Sequence, residues 1–482
     1  MSPPLVIGVD SSTQSTKLSV HELDGGSRVG LAVCAHPTTS PPVSEQDPRA
    51  WFEALVSALG SLRIELEDVV AISIAGQQHG LVLLDDDGEP VRPAKLWNDT
   101  TSAPQAQRLV ETLGARSWAE ACGSVPVASF SITKLAWMAD HEAGLLSRTA
   151  QVMLPHDYLT WRLTGEAVTD RGDASGTGWF DPAQGTYRED LLEIALGSAR
   201  TFKLPSVLGP SQRAGYVDAA VAAEVGLGAG VVVGVGTGDN MGAALGLCLE
   251  PGDTALSLGT SGTVYSVSQT PSADSTGAVA GFADATGNFL PLVCTLNATK
   301  VTDTVASWLG TDAPGLASLA LEADQTGTRP VLLPYFDGER TPNLPDSVGV
   351  FTGLRTSTTP GQLALAAHDG VLCGLLDGLD ALDAAGIETT GPIHLVGGGA
   401  RSAVYPQRCA DLSGRSIIVH DDEETVAVGA AIQAAAAYGS EEPLSIGRRW
   451  SLGSTRTVNP SGHPHDDEVR AAYMTLRDTM HP

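Results

Sequence analysis

The chain of 482 residues is too long for one hydrophobic core and is expected to fold as two large domains. Its formal net charge of −28, from 28 Lys and Arg against 56 Asp and Glu, argues against nucleic acid or an anionic membrane surface as a partner. No apolar run approaches the ~18 residues of a membrane span, and six cysteines without a CxxC pair read as small core residues rather than a metal knuckle or disulfide framework.

The first residues run straight into a strand without a secretory signal, which points to the cytoplasm. Val6-Ile-Gly-Val-Asp10 is a strand ending on a carboxylate, followed by Ser11, Ser12, Thr13 and Gln14 and a return strand through Lys17 to Val20. Such a turn offers hydroxyl and N–H groups to phosphate oxygens, and a hard carboxylate beside it suits Mg²⁺; an ordinary polar hairpin is the alternative. Asp47-Pro48 should cap a helix whose Trp51, Phe52, Leu55, Val56, Leu59 and Leu62 recur at helical spacing. A strand from Val69 to Ile74 then delivers Gly76-Gln77-Gln78-His79, whose amides and imidazole suit the hydroxyls of a polyol. Trp97, among polar neighbours, suits a sugar's apolar face; His79 and Trp97 could equally be structural.

In Val231-Val-Val-Gly-Val-Gly-Thr-Gly-Asp239-Asn240 an apolar strand carries one carboxylate into a glycine-lined turn, where a catalytic base would sit. An ordinary turn Asp is the rival reading. Ala255 to Tyr265, with Gly259-Thr260-Ser261-Gly262 at its turn, resembles a worn copy of the first hairpin, so the two halves read as a duplication joined between Leu245 and Asp253. Thr359-Pro360 begins a long helix ended by Gly386, and a strand from Ile393 to Val396 leads into Gly397-Gly398-Gly399 and Ser402, bare backbone against which a ring or phosphate could lie. A strand from Ile417 to Val419 and a helix from Thr425 to Tyr438 follow, with Gly429-Ala-Ala431 allowing close packing. The tail after Pro460 reads as a surface helix or extension. Alternating strands and helices argue α/β layers in both halves, and no GxxxxGK[ST] occurs, so a P-loop is excluded.

Together these motifs resemble the FGGY carbohydrate kinases of the actin-like ATPase superfamily. Ser129-Phe-Ser131 through Lys134 and Trp137 to His141 is similar to the family's first signature, and Gly397 to Ser402 through Glu424 to Ala431 is similar to its second. Glu45 to Pro48, Pro155-His-Asp157-Tyr158, Leu163-Thr-Gly165 and Gly338 to Pro342 also look like family segments. The resemblance implies two duplicated ribonuclease H-like domains flanking an interdomain cleft, with sugar on residues 1–247 and nucleotide on 248–482. It implies ATP-dependent phosphorylation of a ketopentose, D-xylulose to D-xylulose 5-phosphate, with Asp239 as general base and Asp10 organising Mg²⁺. By the same pattern Gln78, His79 and Asn240 contact the ketose, with Trp97 beside them. Thr13, Gly259 and Thr260 match the phosphate turns, and Trp308, Gly398, Gly399 and Ser402 the nucleotide site. Two departures stand out: Ser12 where glycine is usual, and Gln78 where methionine is frequent. Another ketose or polyol as substrate (ribulose, arabitol, glycerol), or a non-catalytic sugar sensor, are the competing functions. A homodimer is the candidate assembly, with the sugar and ATP as small-molecule partners.

Overall fold

The computed structural model describes residues 2–323, 329–420, 424–451, 454–462 and 466–481. The chain forms two compact α/β units that interleave in sequence: Met1–Leu249, Gln269–Leu290 and Glu424–Leu452 make the first, and Glu250–Ser268, Pro291–Glu423 and Gly453–Pro482 the second. A single cut between 247 and 248 therefore leaves out two segments that return to the first unit.

In the first unit β1 (Leu5–Ser11), β2 (Ser15–Glu22) and β3 (Arg28–Ala35) form an antiparallel meander. β4 (Val69–Gly76) lies parallel to the other side of β1. β5 (Arg213–Tyr216) is antiparallel to β6 (Val232–Gly234), while β6 and β7 (Thr237–Gly238) run parallel to β4. β1 is buried along its whole length, as expected of an unbroken apolar strand covered on both faces. The expected helix spans Pro48–Ser61 with Asp47 as its cap, and it buries Trp51, Phe52, Leu55 and Leu59 in the core that includes Ile7, Val9, Ile72 and Val233. On that sheet the helix Thr425–Gly439 packs at bare-backbone distance: a Cβ on Gly8 would overlap the Ala427 carbonyl, and one on Gly429 the carbonyl of Gly242.

The second unit repeats the plan. β8 (Thr254–Leu258) and β9 (Gly262–Ser266) form the hairpin, β10 (Phe289–Thr295) extends it antiparallel, and β11 (Ile393–Val396) lies parallel on the far side of β8. β12 (Ile417–His420) follows parallel and β13 (Thr455–Val458) antiparallel, so six strands of this sheet match six of the first in order and direction. The long helix is Pro360–Ala384, with a reciprocal Thr359–Gln362 capping box, and Gly386 past its end has φ of 79°. The tail forms a surface helix, as expected. Its helix Asp466–Met480 buries Tyr473, and Arg470 and Arg477 each reach Asp377 at 2.8 Å. Of the six cysteines, Cys122, Cys373 and Cys409 are core residues, whereas Cys34, Cys248 and Cys294 are partly exposed.

Because Gly8 has no room for a side chain, Gly8→Ala should cost about 1–3 kcal/mol or more. Gly144→Ala, with open space around its helix position, should stay within about 0.5 kcal/mol of the parent. Scanning fluorimetry of the two variants checks this; equal melting temperatures would refute the packing argument.

Candidate active site

The site begins where three parallel strands end together. Asp10 on one side of β4 and Thr237 on the other are both in register with Ala75. Neighbouring strands stand ~4.8 Å apart, so the backbones of Asp10 and Thr237 lie about 10 Å apart across β4. β4 itself continues into Gln77, whose N–H donates to the Ser11 carbonyl at 3.0 Å. Ligands of open α/β sheets bind at such carboxyl ends.

Asp239 follows a strand as expected, but it is the first residue of the helix Asp239–Gly246 rather than part of a turn. Gly236, with φ of 88°, makes the turn into β7, and the helix starts from Gly238. The backbone N–H of Asn240 donates to Asp239 Oδ1 at 2.8 Å and its Nδ2 donates to the same oxygen at 2.9 Å. The same Nδ2 also donates to Gln78 Oε1 at 2.9 Å. The proposed base, Asn240 and Gln78 are thus one hydrogen-bonded chain.

Burial governs the charges here. Asp10 is 7% exposed; desolvation, then the charge of Asp239, push its carboxyl up to about 7 against the opposing pull of Lys17. Asp239 is pushed up to about 6 by burial, against the two donations from Asn240. A carboxyl titrating just below neutral is ionised at working pH yet basic enough to take a proton. Sequence reasoning did not assign Lys17 and Glu424 to this site. Lys17 lies opposite Asp10 in the β1–β2 register, and its Nζ meets Glu424 Oε2 at 3.0 Å. The available signals were the hairpin register and the glutamate of the second signature.

On the proposed sugar side, His79 takes the left-handed conformation with φ of 66°. Ser131 Oγ donates to its carbonyl at 3.0 Å, and Phe130 stacks on its ring at 4.9 Å, so the first signature braces this residue. Its Nδ1 lies 2.8 Å from the Gly176 carbonyl. A carbonyl can only accept, so Nδ1 carries the proton and Nε2 of the neutral ring is an acceptor. Gln78 is 5% exposed, and with Oε1 occupied by Asn240 its Nε2 is a buried donor without a hydrogen-bond partner among the described residues. Trp97 is partly buried and donates through Nε1 to Thr13 Oγ1 at 2.9 Å, which in turn donates to Gln77 Oε1 at 3.2 Å. Ser12 is not among the residues of positive φ, so the turn accepts serine without backbone strain.

The second unit holds the remaining candidates. Thr299 donates through both its N–H and its Oγ1, each at 2.9 Å, to the carbonyl of Gly259, and the N–H of Ala298 reaches that of Thr260. This pins the turn after β8 to the start of the helix Thr299–Trp308. At the end of β11, Gly397 has φ of 85°, and a Cβ on Gly399 would stand 2.7 Å from Leu258 Cβ. Gly398 is exposed with open space around it, and the Ser402 N–H donates to Gly399 at 2.9 Å. Both glycine turns therefore share one end of this sheet. Trp308 is 61% exposed on Phe336 and lies about 14 Å along its helix from Thr299.

Asp10 Oδ1 is a buried oxygen with no hydrogen-bond partner among the described residues, which fits a carboxylate facing a cation. Among the described residues no group of three or more His, Cys, Asp or Glu could hold a metal ion by itself. Mg²⁺ would then be held by Asp10 together with waters and phosphate oxygens, its usual manner of binding. No described helix is long and apolar enough to cross a membrane.

Two family models match the chain: the N-terminal domain of the FGGY family of carbohydrate kinases over residues 5–246, and its C-terminal domain over 254–438. The chain is 50% identical to a xylulose kinase of Streptomyces rubiginosus, over 93% of this chain and 91% of that protein. It is 36% identical to a xylulose kinase of Escherichia coli, over 99% and 98%. Among solved structures, a xylulose kinase from Bifidobacterium adolescentis is similar with a TM-score of 0.86 at 37% identity, covering 99% of this chain and 100% of that one. The chain belongs to the FGGY family of carbohydrate kinases, and its two-domain α/β fold is that of the family.

The raised carboxyl of Asp10 has a consequence for stability. Its folded pKa of about 7 exceeds the ordinary 3.8, so its contribution is neutral below the latter, turns into a growing cost between the two, and is at its full cost above the former. Asp10→Asn should therefore stabilise the fold at about pH 8 by on the order of 1–4 kcal/mol and by less at about pH 5. Urea unfolding of parent and variant at both pH values checks it; a difference independent of pH would contradict the burial of an ionised Asp10.

Proposed function

We propose that the chain is an ATP-dependent kinase of D-xylulose, forming D-xylulose 5-phosphate and ADP. The observation that carries the mechanism is the hydrogen-bonded chain Asp239–Asn240–Gln78 at the strand ends beside Asp10. The sugar identity rests on the likeness to xylulose kinases at up to 50% identity.

Gln78 Nε2 and His79 Nε2 supply a donor and an acceptor for the hydroxyls of the ketose, with Asn240 and the Trp97 ring beside them. Asp239 accepts the proton of the primary hydroxyl as that oxygen forms a bond to the γ-phosphorus and the bond to the ADP oxygen breaks. Phosphoryl transfer needs chiefly positioning and charge neutralisation. Mg²⁺ bound with the nucleotide supplies neutralisation of phosphate charge, and Asp10 is the residue that would hold it. Thr13 in the first unit and Gly259, Thr260, Gly398, Gly399, Ser402 and Trp308 in the second are the proposed nucleotide contacts. On this reading the first unit carries the sugar and the base, and the second most of the ATP.

Asp239→Asn should lower kcat by about 10²–10⁴-fold while ATP affinity by calorimetry stays near that of the parent. The product is checked by mass spectrometry after incubation with MgATP and a panel of pentuloses, hexuloses and polyols. Preferred phosphorylation of another sugar would overturn the assignment of substrate, and an Asp239→Asn enzyme as fast as the parent would remove the base.

A further inference from the structure

Behind the strand ends of the first unit lies an ion cluster for which the proposed chemistry has no use. His156, fully buried at the start of the helix Pro155–Thr164, places Nε2 3.2 Å from Asp157 Oδ1, 3.3 Å from Asp170 Oδ1 and 3.4 Å from Asp173 Oδ2. All three carboxyls are buried as well. Burial alone would discharge the imidazole, but Asp157, Asp173 and Asp170 outweigh it and push its pKa up to about 9.

The seat of this ring is made by two glycines that precede the site segments. A Cβ on Gly236 would stand 2.6 Å from His156 Nδ1, and one on Gly76 3.0 Å from His156 Cβ. Gly236 leads into Thr237, Gly238 and Asp239, and Gly76 into Gln77, Gln78 and His79. Asp170 extends the connection. Its Oδ2 accepts from Thr237 Oγ1 at 2.9 Å and from the Gly172 N–H at 2.8 Å, and its Oδ1 from the Asp173 N–H at 3.0 Å. It thereby caps the short helix Arg171–Ser175, after which the Gly176 carbonyl receives His79 Nδ1. One buried cation thus sits against the segments that carry Asp239 and the pair Gln78 and His79.

We infer that His156, as an imidazolium, is a positioning residue for phosphoryl transfer: through Asp170 and Thr237 it sets where Asp239 stands, and loss of its proton at alkaline pH releases that placement. The inference rests on Asp239 acting as the base. The titratable groups that face the ring are Asp157 on its own helix, and Asp170 and Asp173 on the neighbouring one. Beyond these, Asp239 acts on Asp173, and Tyr187, whose hydroxyl donates to Pro205, feels Asp157 and Asp170. A buried charge that gathers three carboxyls, of which burial holds Asp173 well above its ordinary range, ties together chain segments far apart in sequence, and misplacing a reacting group by even ~1 Å can cost about 10²-fold in rate.

The test is the pH–rate profile of D-xylulose phosphorylation by the full chain with MgATP, for the parent, His156→Lys and Thr237→Val. The parent should lose kcat as pH rises through about 9. His156→Lys, whose ammonium holds its charge further into the alkaline range, should stay active and move that limb upward. Thr237→Val leaves the ion cluster whole and cuts its connection to the Asp239 segment; it should lose roughly 10–100-fold in kcat with little change in sugar KM or melting temperature. An active parent whose alkaline limb is shared by His156→Lys, or a Thr237→Val enzyme turning over at the parent's kcat, overturns the inference. Should His156→Lys fail to fold, the kcat-against-KM split in Thr237→Val decides alone. A parent that phosphorylates no sugar overturns the kinase reading, and the positioning role with it.

Discussion

The first unit depends on one close approach: the helix Thr425–Gly439 lies against β1 and against the helix Asp239–Gly246 at a distance only hydrogen side chains allow. Gly8, Gly246 and Gly429 are the residues that permit it. Close-packed interiors transmit even one extra methyl as strain, so this contact fixes relative heights along the sheet to a fraction of a side chain. Its chemical effect is to bring Glu424, just ahead of the helix, to Lys17, and Lys17 to the flank of Asp10. A helix from the far end of the sequence thus completes the charge environment of a residue near its start.

On that frame the site follows from where parallel strands stop. β1, β4 and β7 end side by side, and the segments that leave them carry Asp10, Gln78 with His79, and Asp239. Asp10, Gln78 and His79 are buried and Asp239 is half-buried; desolvation raises both carboxyls toward neutrality and obliges each buried polar atom to find a partner. Asp239 and Gln78 do through Asn240, and His79 through the Gly176 carbonyl. The exceptions, Asp10 Oδ1 and Gln78 Nε2, are the atoms expected to face a cation and a substrate. Proteins keep unsatisfied polar groups at a cost, and functional sites are where that cost is tolerated.

The His156 cluster shows the same logic one layer deeper. Four buried ionisable side chains are a poor way to stabilise a fold, since desolvation offsets much of their attraction. They are a good way to hold separate segments in one arrangement, because removing any member leaves the others unpaired. The second unit places its buried charges elsewhere: Arg408 joins Asp369 at 2.8 Å and Asp466 at 2.7 Å, which anchors the C-terminal helix rather than a site.

Much of this was legible in the sequence because it is local. Asp47-Pro48 and Thr359-Pro360 start helices by satisfying their own first N–H groups, Gly386 and Gly397 turn the chain with positive φ, and apolar runs such as Val6 to Val9 read as buried strands. The family signatures and the candidate residues Asp10, Gln78, His79 and Asp239 were legible as well, since they sit in short ordered motifs. Tertiary structure alone decided the rest. That Asp239 opens a helix, that residues 424–452 belong with the first unit, that Gln78 turns its amide nitrogen inward, and that His156 gathers three carboxyls all depend on pairs distant in the chain. Spacing along a sequence encodes the period of a strand or helix. It does not encode which buried atoms meet, because that is set by how whole elements pack.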